Sequence, residues 1–150
     1  MKSKSLVIIL VLILIGVIGF CIYKSTTKAP INFSDSQPVI IIDNKNGGLI
    51  NASDPNTWIE FKYEVYSNRG VKLYQEYGGN NITNKEYKIS EQNYNQLLEL
   101  LKDRNKNIEG GFAMDYMPPT LTTYKEDGSE ETYRINSKYY ESFIKLLEEN

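Results

Sequence analysis

YKISEQNYNQLLELL (residues 87–101) and YRINSKYYESFIKLL (residues 133–147) lie 46 positions apart and align without a gap. Each opens with apolar residues two apart, Tyr87 and Ile89 or Tyr133 and Ile135. That spacing puts both on one side of a strand. A capping residue follows, Ser90 or Asn136, whose side-chain oxygen can accept a bond from an orphan amide of a first helical turn. Beyond the cap the period changes. Tyr94, Leu97, Leu98 and Leu101 fall at i, i+3, i+4 and i+7, as do Tyr140, Phe143, Ile144 and Leu147. Each set is one apolar stripe of a helix and must pack on something.

Turn residues precede both segments: Gly78-Gly79-Asn80-Asn81 in one case, Glu126-Asp127-Gly128-Ser129 in the other. The region therefore reads as two β-hairpin–helix units. A strand-to-helix junction needs the same ingredients whether or not it is repeated, so the architecture does not depend on true repetition. The expected class is α+β, a small antiparallel sheet with two helices packed on one face. Replacing Leu98 or Ile144 with Asp is expected to unfold it.

Further strands lie upstream. Ile59, Phe61, Tyr63 and Val65 alternate with Glu60, Lys62 and Glu64, the pattern of a half-buried antiparallel strand. Ser67-Asn68-Arg69-Gly70 turns the chain, and Val71, Leu73 and Tyr77 continue on the next strand. Residues Ile82 to Ile89 return as a third. Val39 to Ile42 is a short β-branched run after Pro38, and Asn44 to Thr57, rich in Asn, Gly, Asp and Pro, reads as loop.

The N-terminus has a different character. LVIILVLILIGVIGFCIY (6–23) is unbroken apolar sequence between Lys2, Lys4 and Lys24, Lys28. As a helix it would extend about 27 Å, close to the thickness of the hydrocarbon layer. Bulky Phe20, Ile22 and Tyr23 end it, unlike a signal-peptide cleavage site. Cys21 sits where a lipoprotein cysteine would, but Phe20 occupies the small-residue position before it, so Cys21 reads as an apolar helix residue. The expected organisation is a short tail (1–5), a single transmembrane anchor in lipid (6–23), a linker (24–37) and an extracytoplasmic domain (38–150). The lysines tie across the anchor; the amino terminus and the short tail favour an N-terminus inside.

Four of the 17 basic side chains flank the anchor, leaving 13 against 19 acids in the remainder, a net of −6. Phosphate polymers are repelled by such a charge, so nucleic acid is not an expected partner. Histidine is absent, which removes the commonest neutral-pH base and metal ligand. Ser142 to Lys145 matches Ser-x-x-Lys without the companion motifs of penicillin-binding enzymes. Asp43 to Asp54 is rich in oxygen side chains, but Lys45 and Gly47 break calcium-loop spacing. No catalytic residue, metal site or cofactor is expected.

The connector between the two units stands out. Gly110 to Pro119 carries Phe112, Met114, Tyr116 and Met117, the residue types favoured at binding surfaces. An extended strand burying Phe112, Met114 and Tyr116 by alternation is the plainer reading; if exposed, the segment is the candidate contact site. The expected function is that of a membrane-anchored, non-enzymatic domain binding a protein or peptide at the outer face, through this segment or an open sheet edge. The alternatives are a cell-envelope hydrolase using carboxylates from Glu126 to Glu131, and a structural subunit of a membrane complex. Oligomeric state is not encoded in any motif.

Overall fold

The computed structural model describes residues 37–48, 50–103, 117–125 and 127–148. The anchor over 6–23 and the linker before residue 37 lie outside the described residues. Among those described, six strands and two helices follow in order: β1 (Ile40–Lys45), β2 (Trp58–Val65), β3 (Gly70–Tyr77), β4 (Asn81–Lys88), α1 (Glu91–Lys102), β5 (Thr120–Tyr124), β6 (Glu130–Arg134) and α2 (Ser137–Glu148). The strands form one antiparallel sheet in the order β4-β3-β2-β1-β5-β6. The class is α+β, with a hairpin before each helix.

β1 is longer than its apolar run. Asp43, Asn44 and Lys45 look like loop residues, yet they pair with Lys62, Phe61 and Glu60 of β2. Main-chain pairing to a long neighbour outweighs weak local strand preference, the usual reason such preferences mislead.

The alternation on each strand sorts the sheet into two faces. Ile40, Ile42, Tyr63, Val65, Val71, Leu73 and Leu121 project to one side and are buried. Leu97 of α1 and Tyr139, Phe143 and Leu147 of α2 join them in a single core. Complete burial of Phe143 or Leu147 contributes roughly 1.5–3 kcal/mol each before conformational entropy is deducted. Burial also acts on tyrosine hydroxyls. It raises the Tyr87 hydroxyl to about 12. Tyr63 is raised by burial and by its bond to Glu148, which accepts from the phenol at 2.9 Å.

The two hairpin–helix units are equivalent in detail. Ser90 Oγ accepts from the Asn93 amide at 3.0 Å, and Asn136 Oδ1 accepts from the Tyr139 amide at 2.8 Å. The Ile89 amide donates to Arg69 O, and the Ile135 amide to Pro119 O. Tyr87 lies opposite Val71, and Tyr133 opposite Leu121. Val71 in turn lies opposite Val65 of β2, and Leu121 opposite Ile42 of β1. The neighbouring pairs Ile40–Val65 and Ile42–Tyr63 then exchange under one local two-fold axis through the sheet near Ile41 and Glu64.

The same axis relates the helices. Asn93 Nδ2 donates to Leu146 O at 2.9 Å, and Tyr139 Oη donates to Leu100 O at 2.7 Å. Each residue and each acceptor is 46 positions from its counterpart, so the contact is reciprocal, like that of an isologous dimer.

One expectation needs correction. Leu98 does not face the core; it is 36% exposed, whereas Leu97 is fully buried. Successive helical residues turn by about 100°. The reciprocal contact draws Asn93 and Leu100 toward α2 and leaves Leu98 on the opposite flank. Ile144 packs partly buried against the core. Chemical denaturation should therefore separate two variants. Phe143→Ala is expected to lose about 3–5 kcal/mol, whereas Leu98→Asp should remain folded with a far smaller loss. A larger loss for Leu98→Asp would contradict this placement of α1.

Candidate binding site

The face of the sheet opposite the core, which no described helix covers, is a charge ladder. Glu86, Lys72 and Glu64 lie in one cross-strand row, and Lys62 and Asp43 in the next. Lys62 Nζ lies 2.8 Å from Glu64 Oε1, and Tyr66 Oη donates to Glu64 Oε2 at 2.8 Å. Burial pushes the Glu64 carboxyl up, but these two hydrogen bonds outweigh it and hold the group below its ordinary value. Opposite charges across strands suit a solvated face whose groups satisfy one another. The outer strands are guarded in the same manner, by Lys85 and Lys88 on β4 and by Glu130 and Arg134 on β6.

The acidic β5–β6 turn is also occupied locally. Asp127 Oδ1 accepts from the Ser129 amide and hydroxyl, and Glu131 pairs with Lys125 and accepts from Tyr133 Oη. Glu126 lies outside the described residues. Ser142 Oγ donates to Lys138 O within α2. Asn46, Asn51 and Asp54 each accept from an amide two residues on, so the Asp43–Asp54 oxygens shape a loop. Among the described residues, no cluster of acidic groups is arranged to hold a metal ion.

A recess of about 270 Å³ opens at one end of the sheet. Its walls come from the end of β1 (Asn44 to Gly47), Trp58 at the start of β2, Met117 and Pro119 before β5, and Ser137, Tyr140 and Glu141 on the first turns of α2. β1 begins at the other end, where the Val39 amide donates to Val65 O. β1 carries the backbone from that end to the recess.

Several local devices build it. A register irregularity between Trp58 and Glu60 interrupts the β2–β3 ladder beside the recess. Bulges of this kind re-aim side chains near functional sites. The Trp58 ring stacks on Phe61 at 5.6 Å between centroids, and Phe61 meets Tyr77 edge-on at 5.5 Å. Asn46 Nδ2 donates to Trp58 O at 3.0 Å. The loop before β2 is pinned from below: Gly78 donates to Thr57 O at 2.8 Å and Gly79 to Ala52 O at 2.7 Å. A Cβ on Gly78 would collide with the Asp54 carbonyl, and one on Gly47 with the Met117 side chain.

Of the four residues singled out in the sequence, Met117 lies at the recess and is 55% exposed. Phe112, Met114 and Tyr116 lie outside the described residues, so their expected burial or exposure has no structural reading. Pro118 and Pro119 are buried. Trp58, Tyr140, Asn44 and Asn46 were not anticipated. Trp58 is the sole tryptophan of the chain and stands directly after a Pro/Asn loop, a usable signal. Tyr140 reads in the sequence only as part of a core stripe.

Among the described residues, the local two-fold axis gives this recess no twin. Pro119 corresponds to Arg69, and Ser137 to Glu91. There the short Tyr66–Gly70 turn closes the corner, and Arg69 pairs with Glu91 at 3.8 Å. At the recess the chain instead leaves β1 into the long loop before Trp58. No protein family, characterised protein or solved structure gives a match to the chain.

Gly78→Ala should show how strongly the loop depends on its glycine anchor. Forcing a methyl into the Asp54 carbonyl is expected to cost about 1–3 kcal/mol. Thermal denaturation read by Trp58 fluorescence checks this, and an unchanged midpoint would contradict the close approach.

Proposed function

We propose that the chain is a single-pass membrane-tethered, non-enzymatic binding domain that engages a protein or peptide outside the cytoplasm through the Met117 recess. The observation that carries the reading is the recess without a twin. A scaffold with two equivalent halves departs from its own symmetry where Trp58, Tyr140, Met117 and Pro119 surround an opening. Aromatic rings and methionine, rimmed by amides, are the composition of an interface anchor pocket. β1 starts beside Val65, where the Val39 amide donates to Val65 O, and the recess lies at the far end of β1.

The charge ladder on the face opposite the core favours this reading over one in which the sheet face is the contact, because its carboxylates and ammonium groups already pair. The Glu126–Glu131 turn gives a hydrolase little support for the same reason.

A photo-crosslinking residue placed at Met117 of the full chain, in intact cells, tests the proposal. A discrete adduct is expected from position 117, none from Gln92 on the exposed side of α1, and loss of the adduct on Trp58→Ala. Equal adducts from both positions, or none from either, would contradict it. Recovery of the chain from the medium, beginning beyond residue 29, would contradict the tether.

A further inference from the structure

Resting on the reading of the recess as the binding site, we infer its preferred occupant: a cationic side chain, arginine before lysine, presented by the partner. The walls supply two aromatic rings, Trp58 and Tyr140. A cation near an aromatic face is attracted by the ring quadrupole, most strongly at tryptophan. The Trp58 ring is held by its stack on Phe61 and by the Asn46 bond to its backbone, so it need not reorganise to receive a guest.

The local charge has the matching sign. Lys45 is the one cation among the described lining residues, and its ammonium is already taken. It lies 3.3 Å from Asp43 and 3.4 Å from Glu60, and the Asp43 charge raises its pKa. Glu141 lines the recess from an exposed position on α2, with no counter-ion among the described residues. Lys45, Asp43, Glu60 and Glu141 together carry a net charge of −2 around the opening. An anion would meet the Glu141 carboxylate. An apolar side chain would leave the Glu141 carboxylate unanswered.

Arginine fits better than lysine for a physical reason. The guanidinium is planar and weakly hydrated, stacks on rings and offers a fork of donors to a carboxylate, whereas an ammonium must shed tighter water. Ring and carboxylate are both on the recess walls.

Trp58, the only tryptophan in the chain, makes intrinsic fluorescence a direct reporter. The full chain in detergent is titrated with N-acetyl-arginine methylamide, its lysine and norleucine counterparts, and N-acetylglucosamine. A saturable change is expected with the arginine compound, a weaker one with lysine and none with norleucine or the sugar. Glu141→Gln, at an exposed position, is expected to weaken the arginine response about five- to tenfold without loss of fold. An equal response to norleucine, saturation by the sugar alone, or an unchanged affinity in Glu141→Gln would overturn the cationic occupant. If the arginine compound gives no response while the Met117 crosslink persists, the cation fails and the binding site stands. If both are missing, both fail.

Discussion

Two reciprocal hydrogen bonds and the core beneath them hold this domain as one body. Asn93 reaches from α1 to the Leu146 carbonyl of α2, and Tyr139 reaches back to the Leu100 carbonyl. Both acceptors are main-chain groups, so the contact fixes where one helix lies against the other. Beneath it, Leu97, Phe143 and Leu147 share a core with β1 and β2. Neither hairpin–helix unit can bury its stripe without the other and the central strands. The remaining features follow. α1 is rotated so that Leu98 is left out, one face of the sheet is dry, and the other carries its ladder of lysines and glutamates.

Much of this was legible because two periodicities meet at a cap. Tyr87, Ile89 and Ser90, and then Tyr133, Ile135 and Asn136, announced the strand-to-helix junctions, and the caps bond as their residue types require. What the sequence hid was three-dimensional. Whether Leu97 or Leu98 faces inward depends on where α2 lies, which no local pattern records. Asp43 to Lys45 join β1 because β2 is there to pair with them. The two-fold axis was half-visible: the 46-residue match was plain, but β1 and β2, which exchange across the axis, share no such match.

The recess was the least legible feature, and for a related reason. It gathers side chains from β1, β2, the approach to β5 and α2, so no window of sequence contains it. Met117 was found by its residue type alone. Trp58 and Tyr140 were hidden by ordinary roles, one at a strand start and one in a helical stripe. Internal symmetry is the better guide. Where two halves agree residue by residue, the place where they part marks what stability does not explain. Here a short turn sealed by Arg69 and Glu91 on one side faces an open, aromatic, net-negative corner on the other.

The central claim is that the two units form one cooperative body through their shared core. Native-state amide hydrogen exchange, followed at Ile42, Val65, Leu97 and Phe143 across low denaturant concentrations, measures it directly. The account predicts that these four amides converge on one opening free energy with one denaturant dependence. Exchange of Phe143 with the β5–β6 amides at a distinctly lower free energy than Leu97 and Val65 would contradict it.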